Sequence, residues 1–362
     1  MYPPGFDRAD EDSPFLSFVA DEFGQRGTAR RGELAQKVNS HPFVDALGMR
    51  VPKRLAVLDR IEELHDAALP DKCVLKVANG WSSRGVQLLE RTGPDEYFDH
   101  MTQQTLTTAS IVEIQTAAAQ SFSSKEPCWI VEELIEPLMG LGAIPFDYKF
   151  YCFQGTVGLI VQIDRNSGPV KIALFDGEFR PLKRGTDYLL SDRVRHGAPV
   201  IPLHAPELLW WARRLSLEAD SPFVSVDMLD SPTGPVFGEF TYSPGGTHKR
   251  MFVFSHRLLD QFDELISATA DHPDLRAQAS LEDLKSMVHP GPVQFKAWAG
   301  FAYSGGPKGA DRLHVFYKKL AVESEPGTLS AEWYGRLSVL WAGIRNRLRP
   351  PNRKIVAAGA GA

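Results

Sequence analysis

The sequence predicts an α+β protein, followed by a mainly helical C-terminal extension. Three observations predict it. From about residue 128 to 176, short apolar runs alternate with turn residues roughly every ten positions, as in a strand-rich meander. Helical patterns at 105–120, 206–219 and 254–270 interrupt the strands instead of alternating with them one for one. Beyond about residue 272 the strand signal becomes sparse. A chain of 362 residues has room for two or three lobes and a substantial core.

Composition removes several classes. A hydrophobic content of 43% and a charged content of 23% are ordinary for a soluble globular chain. The net charge of −5 leaves no overall footprint for nucleic acid or an anionic membrane. No apolar run is long enough to span a bilayer. The acidic start MYPPGFDRADEDSP does not read as a signal peptide, so a cytoplasmic location is expected. Cys73, Cys128 and Cys152 are odd in number, widely spaced and set in apolar segments. That speaks against a disulfide framework and a zinc site, and for small core residues in a reducing compartment. No internal repeat is visible.

Along the chain, residues 1–28 read as a flexible segment, because Pro3, Pro4, Pro14 and the acids Asp10 to Asp12 discourage a helix. Residues 29–47 have helical spacing, with Pro42 interrupting or restarting the helix, and Gly48 ends it. Ile61 to Ala68 reads as a short helix. CVLKVA (73–78) is a strand, NGWSSRG (79–85) a loop and VQLLE (86–90) a second strand. The loop resembles neither a P-loop, which needs Gly-Lys-Ser/Thr, nor a dinucleotide fingerprint, which needs a following helix. Its glycines and serines can fold over a phosphate chain, or it is an ordinary hairpin turn. CWIVEELIEP (128–137) is a buried strand ending in acids, and DYKFYCFQG, TVGLIVQIDR and VKIALFD continue the meander. Residues 331–348 read as a helix. The basic stretch Arg345, Arg347, Arg349, Arg353 and Lys354 reads as its solvated end and the last residues as a disordered tail. The expected division is 1–28, 29–271 (small lobe about 48–135, large lobe about 136–271) and 272–362.

The chemistry is concentrated in Val224 to Met251. Two short strands flank a Pro/Gly turn, and if they pair about Thr233, Asp227 lies opposite Glu239. Like charges directly opposite are unfavourable unless a cation sits between them, and magnesium takes carboxylate oxygens. The hairpin alone also fits an exposed turn with two unrelated acids. Lys76, flanked by Leu75 and Val77 beside the Gly/Ser loop, fits a phosphate partner or a snorkelling surface lysine. Asp147 fits a ligand or a turn residue, and Lys149 and Lys171 fit ligands or solvated strand residues. His41, His196, His204, His248 and His256 have no metal spacing and read as structural or exposed.

Order and spacing together carry a resemblance. Lys37 precedes the Gly-x-x-Val-Pro segment. KVANGWSSRGVQLLE, CWIVEELI, VSVDMLDS and GEFTYSPGGT follow in turn. The series resembles the ATP-grasp superfamily over about residues 30–255, in type and order like D-alanine–D-alanine ligase. DYKFYCFQG and GEFTYSPGG look closest to its TupA-like branch, linked to teichuronopeptide and polysaccharide biosynthesis. The resemblance implies an ATP-grasp fold, two α+β lobes sandwiching ATP. Lys37 and Lys76 would contact the α- and β-phosphates, with Gly80, Ser82, Ser83 and Gly85 in a loop closing over the β- and γ-phosphates. Glu132, Glu133, Leu134 and Ile135 would meet the adenine edge, Asp147 the ribose, and Lys149 belongs to the same nucleotide set. Lys171, or Arg165, would reach the γ-phosphate or an acyl phosphate. Asp227, Glu239 and Thr241 would hold Mg2+, and Ser243, Gly245, Gly246, Thr247, His248 and Lys249 would lie beside the acceptor.

The implied activity is a carboxylate–amine ligase. It would use ATP and magnesium, pass through an acyl phosphate and release ADP and phosphate. The setting would be polysaccharide, cell-envelope or natural-product biosynthesis. A kinase of the same fold and a non-catalytic nucleotide-binding subunit are the alternatives. The expected partners are small-molecule carboxylate and amine substrates, with no nucleic acid and no membrane span; the oligomeric state stays open, a homodimer included. Three positions depart from the superfamily pattern: Thr241 stands for Asn, Ser225 for Arg and Gln36 for Asp. One firmly held magnesium is therefore expected in preference to two.

Overall fold

The computed structural model describes residues 2–65, 69–78, 80, 83–122, 127–137, 142–166, 168–271 and 329–348, with single positions between 311 and 322. Ser82, residues 272–310 and the tail from 349 therefore lie outside the described residues. The chain divides into two compact units, residues 1–138 with 142–293, and residues 139–141 with 294–362.

The first unit begins with a correction. Residues before 28 are not loose: a 3-10 turn, Asp10–Asp12, leads into helix α1, Pro14–Phe23. Pro14 occupies the first helical turn, where its missing N–H costs nothing, and the Ser13 hydroxyl accepts from Leu16 N. Pro14 thus starts a helix instead of breaking one. Phe15 and Val19, four apart, face inward. Phe15 is fully buried and meets Phe223 and Phe262 edge-on at 5.0 and 5.3 Å. The Asp263 carboxylate accepts from Ser13 Oγ and Phe15 N, and Arg8 pairs with it. Helices α2, Ala29–Leu34, and α3, Lys37–Ala46, follow. α3 runs straight through Pro42, giving up one backbone bond without the expected restart.

The small lobe is a six-stranded sheet in the order β1-β6-β2-β3-β4-β5, antiparallel throughout. Its strands are β1 Arg54–Leu58, β2 Lys72–Val77, β3 Gln87–Gly93, β4 Glu96–Asp99, β5 Gln104–Thr107 and β6 Trp129–Glu133. Helix α4, Thr108–Ser121, covers one face, where Ile111 and Ala119 join Cys73, Leu75, Val77, Leu89 and Val131 in one core. The helix starts later than its pattern suggests, because Gln104–Thr107 forms an edge strand and Thr107 caps Ser110 N. The segment expected as a helix from Ile61 is a 3-10 turn to His65, and residues 66–68 lie outside the described residues.

The large lobe is built on β7 Asp147–Phe153, β8 Thr156–Asp164, β9 Lys171–Asp176, β10 Tyr188–Leu190 and β11 Arg195–His196. After helix α5, Ala205–Glu218, come β12 Val224–Ser231, β13 Gly234–Thr241, the short helix α6 Gly245–His248, β14 Phe252–Phe254 and helix α7 His256–Asp271. Its main sheet runs β11-β9-β8-β7-β12-β13, and β10 pairs with β14. α5 packs Leu208, Leu209, Ala212 and Leu215 on one face, and Trp211 and Leu217 are only half-buried. The other face packs Tyr151, Phe153, Val161 and Leu174 with Phe15 of α1 and Leu258, Leu259 and Phe262 of α7. In the second unit, helix α8, Leu329–Leu348, buries Trp341, and its Ser338 and Arg345 bond to His314 and Asp311. Among the described residues no helix is long and apolar enough to cross a membrane.

Candidate functional site

The hairpin β12–β13 sets the geometry. It closes with a two-residue turn, Pro232–Thr233, so Ser231 pairs with Gly234, Leu229 with Val236 and Met228 with Phe237. Continued unchanged, that register would put Glu239 opposite Val226, on the wrong face. Instead the register shifts between Met228 and Asp227, and Gly238 is the extra residue of a β-bulge. Beyond it Asp227 faces Glu239, and Ser225 faces Thr241. The expected carboxylate pair is present, though by a two-residue turn plus a bulge. A side chain at Gly238 would begin 3.1 Å from the Asp227 carbonyl oxygen, a tight approach that the missing Cβ relieves.

On its other side Asp227 pairs with Lys149 of β7, and Ser225 with Tyr151. One sheet face therefore carries Glu239, Asp227 and Lys149 in a row. Lys149 forms an ion pair with Asp227 and a second, at 3.2 Å, with Asp147. Arg165, just past β8, holds Asp147 at 3.3 Å. Ser225 Oγ donates to Asp227 Oδ1 at 2.7 Å, and Thr241 Oγ1 lies 3.4 Å from Oδ2. Lys37, the first residue of α3, pairs with Glu239. From the small lobe, Lys76 on β2 pairs with Glu132 on β6 at 2.5 Å, both buried.

His41, expected to be structural or exposed, is buried against the same cluster. It lies one helical turn after Lys37 on α3, so the i, i+4 spacing on a short helix was the available signal. It is buried, with Nε2 3.0 Å from the Gly238 carbonyl oxygen and Nδ1 3.7 Å from Glu132 Oε1. That Glu132 oxygen has no hydrogen-bond partner among the described residues.

Lys171 is not brought into this group. It pairs in register with Asp164, which stands next to Ile163, the partner of Asp147. Pleat alternation puts Lys171 on the α5 face, away from Asp227, where it lies 3.8 Å from Asp164. Lys149, not Lys171, stands beside Asp227. Glu132 points into the cluster. Glu133 instead accepts from Arg50 at 3.1 Å and from Lys53 N at 3.0 Å. Ile135 is buried and Leu134 half-buried beyond the last ladder pair. Gly80 N donates to the Val77 carbonyl, and Gly85, at φ +69°, presses on α4, where Gln115 donates to its carbonyl. Ser83 is left-handed at φ +57°. Of the segment expected beside the acceptor, Thr247 is buried and bonded to the Tyr151 hydroxyl, and the His248 ring stacks on Phe23 of α1. A side chain at Gly246 would collide with the Phe252 ring at 2.5 Å, while at Gly245 it would meet open space. Lys249 is exposed.

The electrostatics are those of a packed ionic cluster. Burial pushes Asp227 up, to about 7, against the pull of Lys149 and with the push of Asp147 and Glu239. Burial acts on Glu239 too, but Lys37 and then Lys149 outweigh it and hold it down at about 2. Burial lowers Lys76 despite Glu132. It would lower Lys37 as well, but Glu239, Asp227 and Glu132 more than reverse it. Burial also lowers His41, which keeps that ring neutral. Lys37, Lys76, Lys149 and Arg165 thus stand against four carboxylates, Glu132, Asp147, Asp227 and Glu239. Among the described residues no three His, Cys, Asp or Glu side chains form a metal cage. Magnesium needs none, since it binds through one or two carboxylates and the phosphates of a nucleotide. The donor set fits such a pair of ligands: phosphate oxygens suit the ammonium groups, and the metal suits the carboxylates these would release.

Two α+β lobes with lysines and paired carboxylates between them define an ATP-grasp protein. The family comparison agrees: the TupA-like ATP-grasp model matches residues 25–266, and the chain belongs to that family. Solved structures similar to the chain include the ATP-grasp ligase PsnB complexed with its minimal precursor, at 12% identity over 71% of this chain and 68% of that one, TM-score 0.36. D-Alanine–D-alanine ligase from Bacillus anthracis, complexed with ATP, is 14% identical over 70% and 68%, TM-score 0.36. The Helicobacter pylori enzyme is 11% identical over 68% and 60%, TM-score 0.36. No curated protein matches the chain.

Proposed function

We propose that the chain is an ATP- and magnesium-dependent ligase that joins a small-molecule carboxylate to an amine through an acyl phosphate, releasing ADP and phosphate. The observation that carries this reading is the row Glu239, Asp227, Lys149 on one sheet face, with Lys37 seated on Glu239. Family membership supports it. Asp227 and Glu239 would hold magnesium, which when bound neutralises and orients phosphate oxygens. Thr241 and Ser225 steady Asp227.

Lys37, Lys76 and Lys149 would exchange their carboxylate partners for phosphate oxygens. Lys149, beside both Asp227 and Asp147, is the residue placed to follow the transferred phosphoryl group. The acceptor amine would then attack the acyl carbon and expel phosphate. Phosphoryl transfer asks for positioning and charge neutralisation more than for a protein nucleophile, and the cluster supplies both.

An ADP-release screen over pairs of carboxylic acids and amines tests the reading. ADP and phosphate should appear only when both substrates are present, and Glu239→Gln should cut the rate at least about a hundredfold. AMP and pyrophosphate, or a stable phosphorylated product with no need for amine, would sink the ligase assignment.

A further inference from the structure

We infer that His41 is a positioning residue for the metal carboxylates, acting through the Gly238 bulge. The inference rests on the magnesium reading of Asp227 and Glu239. The bulge is the only register shift in the pairing of β12 with β13, and it falls between Met228 and Asp227, next to the carboxylate pair. A bulge leaves its extra residue outside the ladder, so its backbone groups need partners elsewhere. The Gly238 carbonyl finds one in His41 Nε2 at 3.0 Å. A carbonyl only accepts, so Nε2 carries the hydrogen and Nδ1 is left facing Glu132 Oε1 at 3.7 Å.

The His41 ring is fixed from several sides. It sits on the α3 face that also carries Lys37, it meets the Phe237 ring edge-on at 5.9 Å, and it is 4% exposed. One imidazole therefore spans the carboxylate that holds Lys76 and the backbone between Phe237 and Glu239. Without its hydrogen bond the extra residue has an alternative home, a three-residue turn at Thr233, and the strand next to Asp227 would straighten. The carboxylates would still face each other, but their oxygens would be re-aimed. His41 touches neither metal nor nucleotide in this account; it sets the angle at which Asp227 and Glu239 present themselves.

The test is Mn2+ binding in the presence of ADP, read from the free-Mn2+ resonance, beside ADP affinity in EDTA and melting temperature. His41→Leu should weaken Mn2+ roughly tenfold, the scale of a lost partner behind a metal ligand. Metal-free ADP affinity should stay within about twofold of the parent, inside the scatter expected for an unperturbed site. His41→Gln, whose amide reaches about as far as Nε2, should restore most of the Mn2+ affinity. If His41→Leu fails to fold, His41→Asn, an amide ending one bond short, gives the same comparison with Gln. Parental Mn2+ affinity in the Leu or Asn variant overturns the inference. So does a loss that His41→Gln shares, or one matched by metal-free ADP. Mn2+ binding that survives Asp227→Asn overturns the magnesium reading and this inference with it. Mn2+ binding lost in Asp227→Asn but kept in His41→Leu overturns this one alone.

Discussion

Asp227 is where stability and chemistry conflict. Its folded pKa stands above the ordinary aspartate value, at about 7, so ionising it inside the fold is unfavourable. The corresponding stabilisation is complete below the usual carboxylate range and is lost as pH rises through about 7. Ligand-free Asp227→Asn should therefore gain melting temperature over the parent at pH 8.5 but little at pH 4, while losing activity. An equal gain at both pH values would contradict the assignment. Lys149 and Lys171 give a second contrast. Lys149→Ala should cost far more ADP release than Lys171→Ala, because the pleat puts only Lys149 beside Asp227. Sequence could not separate these two lysines, since facing direction depends on a register that single strands do not declare. Cys73 and Cys152 were legible as core residues, while Cys128 is only half-buried: burial pushes the Cys73 thiol up to about 12 and Cys152 higher still, so both stay protonated at pH 8. Iodoacetamide at that pH should leave both unmodified until the protein is denatured, as counted by mass spectrometry.

At the scale of elements, β2, β7, β8 and β9 were read within a residue or two, because their apolar patterns are buried on at least one face, whereas β3 was read three residues short, β6 four residues long, and β4 and β5 not at all. Failures came where one residue type has two uses. Pro14 and Pro42 were read as helix breakers; one begins α1 and the other is carried inside α3. The acids of residues 10–12 precede the helix and say nothing against it. α1 is a structural element of the large lobe, so Phe15→Ala should cost about 3–5 kcal/mol, the range for removing a buried aromatic ring. Chemical denaturation measures this, and a loss below about 1 kcal/mol would mean that α1 merely rests on the lobe. α1 begins before the family match at residue 25, which is why no motif announced it.

For the molecule as a whole, the order of motifs was more informative than any one of them. Lys37, Lys76, Glu132, Lys149, Asp227 and Glu239 come from α3, two sheets and both lobes, and folding brings them into one ionic cluster. What sequence could not supply was the pairing inside it, because each ammonium had several carboxylates in reach by composition alone. A ligand bound by both lobes must stabilise the first unit by mass action. ATP with magnesium at about a hundredfold over its dissociation constant should add about 2.7 kcal/mol. The magnesium-dependent part of that increment should vanish in Asp227→Asn, as measured by thermal melting with and without EDTA.

The hairpin also has an arithmetic. Eleven residues separate Asp227 from Glu239, one more than a two-residue turn and an unbroken ladder can absorb if the two are to meet. The chain owns a single spare residue, and the turn and the strand compete for it. Hairpin tips ordinarily accept insertions freely. Here an added residue at Thr233 can be taken up as a three-residue turn, which leaves the bulge and the facing of Asp227 and Glu239 in place. The facing of the two acids is thus set by the bulge at Gly238, five residues from the tip, and not by the length of the tip itself.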